Sequence, residues 1–528
     1  MSIKYQHLHE AIYSRLKENP NALCLSLPSN QKRPEKVIHK DFTGANVLEA
    51  TAFYMALLRS KKVNAGDKVI VLAPLSLDTI AQMLAVMALG GVVVLIDISM
   101  KFSHVLAAIK NSEAKAILTT KLFKVILALL PASFGIKKLV LPSAAKAIIG
   151  SGRFNFQNWD LVNRKDCDPA LITFTSGTTS QPKAVNRTHG ILAHQRLAIA
   201  NNHPSHQGAL VHCFPVLILY HLSVGTHSVL AHRSTKPMTS LPKVTLEQIK
   251  RYKADALIAA PTFLENLTRW TVKNQQEDIL SKLRFIGCGG APIPFKLLAR
   301  INQLCPTTCA WVVFGSTEAE PIAHCSFGFA LNQGLERGLP VGKIVSELKY
   351  RIVDLPHQKS YTEKDIEAAI CKDSKVGELI ISGQHVVEEY LHNDLANEKS
   401  KIRTQEGELW HRCGDLAYQD QEGHVFILGR KGDEIRLADK AVFPFQLEYQ
   451  LDSIENIKRS ALLQKNGQTL LFIELEAADN CFDQNKVTSL LQRFGLTNTT
   501  IKTISAMPLD KRHNSKINRP ALRSLKIK

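Results

Sequence analysis

With 528 residues, 45% of them hydrophobic, the chain is too long for one compact core and long enough for two to four folding units. Its formal net charge of +19 invites a nucleic-acid reading, but the lysines and arginines are spread along the chain without interleaved stacking aromatics, which argues against nucleic acid. The ten cysteines form no Cys-x-x-Cys pair and no zinc pattern, and Met1 to Tyr5 carries no secretory signal, so we expect a cytoplasmic protein with reduced thiols.

Cys305 and Cys309 could share a helix face, yet two thiols alone make no metal site. The charge leaves two partner classes, anionic small molecules and peripheral contact with an anionic membrane, beside the plain alternative of a generally basic proteome.

The first part of the chain alternates strands and helices. Lys68–Ala73 reads as a strand, a helix ends near Gly90, and Val92–Asp97, Ala116–Thr119 and Lys138–Leu141 read as further strands. Strands separated by helix-length segments imply a parallel, doubly wound sheet. Ile80 to Ile96 is the most membrane-like run, but Gly90-Gly91 splits it into a buried helix, a turn and a strand. Leu122 to Ile149 is apolar and basic; it can touch a membrane or an acyl carrier, while Pro131 and Pro142 favour ordinary packing.

Next, Ile172–Thr175 runs into Ser176, Gly177, Thr178, Thr179, Ser180, Gln181, Pro182 and Lys183. Small hydroxylated residues leave backbone N–H groups free to turn around phosphate oxygens, and a lysine adds point charge. This is a phosphate cradle or a surface turn; it is not a nucleotide-hydrolase P-loop, since Ala184 follows the lysine.

A second alternating block follows, with strands at Ala209–Phe214, Ala256–Ala260 and Phe285–Gly290. Gly289, Gly290, Ala291 and Pro292 end the last of these, where a flat ligand can lie on bare backbone. Val313 to Glu320 then delivers Thr317 and Glu318 side by side, a carboxylate suited to Mg²⁺ when phosphate oxygens complete the shell.

From Leu348 the strands shorten, at Lys349–Val353 and Gly377–Ile381, around a polar stretch with one short helix at Gln358–Ser374. Trp410 to Leu416 carries Asp415, placed to accept two ribose hydroxyls, and Arg430 can reach ribose or phosphate. The last hundred residues have their own strand at Leu470–Leu475 and helix at Lys486–Phe494, which predicts a separate small domain.

Taken in order, these motifs resemble the adenylate-forming superfamily of acyl- and aryl-CoA ligases, peptide-synthetase adenylation domains and luciferases. The resemblance covers the chain from about residue 50 to the end. It implies an α/β fold: a large N-terminal domain, residues 1–429, of two doubly wound αβ subdomains and a small β-rich one, with a small hinged C-terminal α/β domain, residues 430–528.

It implies that Thr175, Ser176, Gly177, Thr178, Thr179 and Lys183 hold ATP phosphates and that Gly289 to Pro292 form the adenine shelf. Thr317 and Glu318 serve phosphate and Mg²⁺, and Asp415 and Arg430 hold the ribose. Lys516, in Met507 to Arg519, bridges the acyl carboxylate and the α-phosphate. Lys516, Thr317, Glu318 and Lys183 are thus the expected catalytic residues.

Ser180, Ala184, Gly432, Asp439 and Ser515 depart from the family's usual residues. Arg512 to Ile517, Trp410 to Asp415 and Phe214 to Gly225 look most like the olefin-pathway β-lactone synthetases. The expected activity is ATP- and Mg²⁺-dependent adenylation of a fatty acid, then acyl transfer to CoA or a carrier-protein pantetheine. Closure of a β-hydroxyacyl-AMP to a β-lactone is the alternative, and a non-catalytic nucleotide-binding relative is a third reading. Phe214, Leu217, Tyr220, His221 and Val224 line the expected acyl pocket, with His221 as a gate; plain core is the competing reading.

Overall fold

A computed structural model describes the chain except residues 1–3, 29–38, 98–99, 131–132, 134, 148–158, 176–181, 205–207, 233–238, 357–359, 373, 478–480, 511–513 and 526–528. Ser176, Gly177, Thr178 and Thr179, and with them Ser180, lie outside the described residues, and of Thr175 only its strand placement is described.

The first sheet has seven strands in the order Tyr390–Leu391, Lys183–Thr188, Pro169–Thr175, Val92–Leu95, Lys68–Leu72, Ala116–Thr119, Lys137–Leu139. Its middle strands are parallel, with Val93 opposite Leu171 and Val69 opposite both Val93 and Ala116. Both faces are covered. Val69 and Val71 pack into one core with the helices Gly44–Ser60 and Leu77–Ala88, while Ile70 and Leu72 turn the other way toward Ala108, Ile109 and Leu127. Burial on both faces is why these strands read as continuous apolar runs.

The second sheet runs on into the expected β-rich part, which has cores of its own. The parallel strands Leu210–His212, Ala256–Ala259, Phe285–Gly289 and Cys309–Phe314 continue through the antiparallel Ala323–Ser326 and Leu339–Ile344 into the shorter strands expected to form a third unit. All belong to one hydrogen-bonded path. Its far edge is built by Leu23–Pro28 and His39–Thr43 from the N-terminal segment. Cys305 caps the helix Phe295–Leu304 and Cys309 opens a strand, so these thiols do not share a helix face.

Near the C-terminus, Ile457–Lys465, Gln468–Leu475 and Thr499–Ile504 form a separate three-stranded sheet. Its core includes Ile435, Leu447, Leu462, Val487 and Leu491. Buried Arg519 donates to both oxygens of buried Glu448 at 2.7 Å, tying the final helix to this core.

The unit docks on the helix Pro261–Lys273 and its neighbour. Arg269 donates to both carboxylate oxygens of Glu476 at 3.1 Å, and Lys296 donates to the carbonyls of Ile454 and Ile457.

Within this unit, burial pushes the Asp452 carboxyl up to about 7 against the hydrogen bond it accepts from Ser460 at 2.7 Å. The folded pKa lies above the unfolded one near 4. Folding therefore holds a proton between these values, and stability is fullest below about 4 and falls as pH rises toward 7, by up to about 1.4 kcal/mol per unit. Chemical denaturation across that window is expected to show this slope in the wild type and a shallower one in Asp452→Asn.

Candidate active site

The strands on either side of the cradle are antiparallel, with Thr175 paired with Lys183. This register places Lys183 at the mouth of the loop, where its Nζ lies 4.7 Å above the Tyr390 ring. Burial lowers the Lys183 ammonium, and Glu318 opposes that shift.

Tyr390 is on the two-residue strand that pairs with Val185, and its hydroxyl donates to Glu318 Oε1 at 2.7 Å. On the same ring, Lys401 Nζ lies 5.5 Å from the centroid. One aromatic side chain thus orients the carboxylate and gathers two cations, using both its polar tip and its π face.

The turn carrying Thr317 and Glu318 is fixed from three sides. Ser316 Oγ accepts from the backbone N–H of Glu318 at 3.2 Å and of Ala319 at 3.3 Å. The Val387 N–H donates to the Glu318 carbonyl at 2.8 Å. Arg187 spans Thr173 Oγ1 and the Thr317 carbonyl, both at 2.9 Å, so the strand feeding the cradle and the Glu318 turn are held in register.

Burial alone would raise the Glu318 carboxyl; a protonated His411 would oppose that most strongly, but at pH 7, where that ring is neutral, the Tyr390 hydroxyl and the Lys401 ammonium hold the carboxylate ionised. His411 stands opposite Lys401 across the antiparallel ladder. Its Nδ1–H donates to the Ser400 carbonyl at 3.0 Å, and burial pushes its pKa down to about 3, so the ring is neutral at pH 7. Burial likewise brings Lys401 down to about 8, with Glu318 opposing.

Gly289 ends its strand against the next one. A Cβ there would lie 2.6 Å from the Val313 carbonyl oxygen, and Gly290 adopts φ +85°, so both positions before Ala291 and Pro292 require glycine. Asp415 and Arg430 face each other on paired strands, with Nη1 donating to Oδ1 at 2.8 Å. Burial raises the Asp415 carboxyl against the pull of Arg430.

Lys516 reaches this region from the C-terminal unit. Its backbone N–H donates to Asp510 Oδ1 at 2.8 Å, while Thr262 Oγ1 donates to the Asn514 carbonyl at 2.7 Å and lies 2.8 Å from Ser515 Oγ. Its side chain is exposed, yet desolvation lowers the ammonium against the attraction of Asp415 and Asp510, with Glu318 contributing on the same side.

The expected acyl residues sit apart from these hydrogen bonds. Phe214 packs against the core of the second sheet. On the helix Leu217–Val224, the inner residues Ile218, Leu219 and Leu222 join the first core, leaving Leu217, Tyr220 and Val224 half-buried. His221 is buried, with Nδ1 3.3 Å from Ser228 Oγ and its ring 4.8 Å from that of His212.

Tyr390, Lys401 and Arg187 escape sequence reasoning because each acts through a partner distant in the chain. His411 lies inside a quoted motif, but only its cross-strand position opposite Lys401 gives it a role. Tyr390→Phe keeps the ring over both lysines and removes one hydrogen bond to a charged group, worth about 1.5–3 kcal/mol. Where Glu318 serves magnesium, as the family resemblance implies, this change is expected to raise the magnesium concentration for half-maximal pyrophosphate release several-fold; an unaltered magnesium curve would remove Tyr390 from the positioning of Glu318.

Residues 20–391 match the sequence model described as AMP-binding enzyme. The chain belongs to the AMP-binding enzyme family. It is an adenylate-forming ligase by that membership.

Among curated relatives, this AMP-binding enzyme is 26% identical over 376 residues to an olefin β-lactone synthetase of Xanthomonas campestris, an alignment covering 67% of this chain and 66% of that protein. It is 23% identical to an olefin β-lactone synthetase of Stenotrophomonas maltophilia, over 96% of this chain and 95% of that one. A putative acyl–CoA ligase of Bacillus subtilis is 27% identical over 76% of this chain and 77% of its own length.

The fold matches the amide bond synthetase of Marinactinospora thermotolerans with TM-score 0.78 and 17% identity, covering 98% of this chain and 99% of that one. It also matches the AMP complex of o-succinylbenzoate coenzyme A synthetase from Bacillus subtilis, with TM-score 0.75 and 18% identity, covering 98% of each. These likenesses establish the expected α/β fold. Among the described residues no helix is long and apolar enough to cross a membrane.

Proposed function

We propose that this enzyme joins a lipophilic carboxylate to the α-phosphate of ATP, and that the β-hydroxyl of the substrate, giving up its proton to solvent, then closes on the acyl carbon as the bond from that carbon to the AMP oxygen breaks, yielding a β-lactone and AMP. The observation that carries the first half is the gathering of Lys183, Lys401 and Glu318 on Tyr390, with the Asp415–Arg430 pair and Lys516 within electrostatic reach.

In this reading Lys183 and the Thr175–Thr179 loop hold the outer phosphates, Gly289 to Pro292 hold adenine, and Asp415 and Arg430 hold the ribose. Thr317 and Glu318 face the reacting groups. A carboxylate oxygen forms a bond to the α-phosphorus, the bond from that phosphorus to the bridging oxygen breaks, and its electron pair leaves with pyrophosphate. The acid is ionised at neutral pH, so no general base is required.

The difficulty is bringing anions together. Lys183, Lys401, Arg430 and Lys516 outnumber Glu318 and Asp415, so the site holds excess positive charge where negative charge concentrates. Glu318 also fits Mg²⁺, whose usual shell is one or two carboxylates with phosphate oxygens; when bound, the ion would neutralise phosphate charge. Among the described residues no three metal-ligating side chains gather into a cage of their own.

We assign residues 1–429 to the large domain and 430–528 to the small one. Arg430 still belongs to the strand Val425–Arg430, whereas Ile435 belongs to the C-terminal core. Between them Gly432 adopts φ +89° with open space where a Cβ would stand, which suits a hinge that absorbs backbone rotation. The ten free cysteines are in keeping with a reducing, cytoplasmic setting.

The lactone ending is supported by the two β-lactone synthetases among the relatives, and by Asp439 where the family's pantetheine path commonly has glycine. Transfer to CoA or to a carrier pantetheine is the second reading, supported by the acyl–CoA ligase relative.

Incubation with a β-hydroxy fatty acid, ATP and magnesium, followed by mass spectrometry, separates them. A product lighter than the acid by one water, formed without CoA, is expected. An acyl thioester formed only with CoA would replace the lactone ending, and ATP binding without turnover across a panel of acids would leave a nucleotide-binding relative.

A further inference from the structure

The helix Lys121–Ala128 turns its apolar stripe away from the protein. Leu122, Val125, Ile126 and Leu129 recur at the spacing of one helical face, the pattern that ordinarily marks the side facing the core. Here these residues are 70%, 65%, 43% and 77% exposed, and within the helix only Leu127 is buried.

Leu127 shares its core with Ala108 and Ile109 of the helix Phe102–Asn111, so the two helices cover the same face of the first sheet. Phe102, at the start of that second helix, is 62% exposed. The helix is well started, with Thr120 Oγ1 accepting from the Phe123 N–H, so the outward stripe belongs to a capped element.

Charge identifies what the stripe meets. Lys121 and Lys124 are exposed beside it, one turn apart. From Ala114 to Trp159 the chain carries Lys115, Lys121, Lys124, Lys137, Lys138, Lys146 and Arg153 and no aspartate or glutamate. A protruding aliphatic ridge flanked by lysines fits the boundary between anionic headgroups and acyl chains, which admits side chains to a depth of about 5–10 Å. Eight residues are far too few to span a bilayer, so the element lies in the interface plane.

We propose that Lys121–Ala128 is an interfacial anchor that seats the enzyme on anionic lipid bilayers, with Leu122, Val125, Ile126 and Leu129 inserted and Lys121 and Lys124 at the headgroups. This rests on the surface of the helix and not on the reaction assigned above. It would bring the enzyme to the phase in which lipophilic carboxylates concentrate.

The test is sedimentation of the full chain with vesicles of phosphatidylcholine alone or mixed with phosphatidylglycerol. The wild type is expected to pellet with the mixed vesicles and to be released by salt. Val125→Asp combined with Leu129→Asp is expected to lower the apparent partition coefficient roughly tenfold or more, without a change in melting temperature. Lys121→Glu with Lys124→Glu is expected to erase the preference for phosphatidylglycerol.

Wild-type protein left in the supernatant, or aspartate variants that pellet like the wild type, would overturn the proposal. So would vesicle-independent dimerisation that the aspartate pair abolishes, because the stripe would then be the seat of a second copy of this chain.

Discussion

Replacing Lys516 by alanine is expected to lower carboxylate-dependent pyrophosphate release by on the order of a thousandfold while leaving ATP affinity almost unchanged. A single preorganised donor aimed at developing charge in a desolvated site is worth on the order of 10²–10³ in rate, and this lysine faces two anions at once. The substitution leaves the loop's backbone hydrogen bonds in place, because the Asp510 carboxylate accepts from the backbone N–H groups of Ser515 and Lys516. Arginine should rescue poorly, since its planar fork replaces a compact charge. Release at the wild-type rate in the alanine variant would sink the role given to Lys516.

The second large effect is expected of Glu318→Gln. The amide oxygen can still accept the Tyr390 hydroxyl, so the turn should survive, but the negative charge amid Lys183 and Lys401 disappears. With Glu318 no longer opposing burial, the Lys401 ammonium should titrate below about 8. Pyrophosphate release is expected to fall roughly a hundredfold and the magnesium requirement to rise at least tenfold. Titrating magnesium at saturating ATP measures both; a rate loss with an unmoved magnesium curve would leave Glu318 an electrostatic role and remove the metal.

The first sheet was legible because its strands are buried on both faces: Val69 and Val71 serve one core while Ile70 and Leu72 serve another, so the run is apolar throughout. Boundaries were less legible. The strand expected at Lys138–Leu141 is Lys137–Leu139, since strand ends are set by pairing, here with Ala116–Leu118. The joining of the short strands to the second sheet depends on pairings such as Ala323 with Ile344, which no local pattern encodes.

In the site, Lys183, Glu318, Asp415, Arg430 and Lys516 were legible because each stands in a motif of fixed spacing. Tyr390 was not, because a two-residue strand has no periodicity to read. Lys401 and His411 acquire meaning only through their cross-strand pairing and burial beside Glu318. In the apolar run at Phe214–Val224, Ile218, Leu219 and Leu222 are core, and the pocket reading rests on the residues between them.

The proposed reaction turns on attack by a carboxylate oxygen at the α-phosphorus, and isotope transfer tests that directly. With a fatty acid whose carboxylate carries heavy oxygen, the AMP released is predicted to gain one heavy atom, because the acyl–oxygen bond breaks in the second step and that oxygen stays on phosphorus. AMP formed in step with acid consumption but without the heavy atom would contradict it.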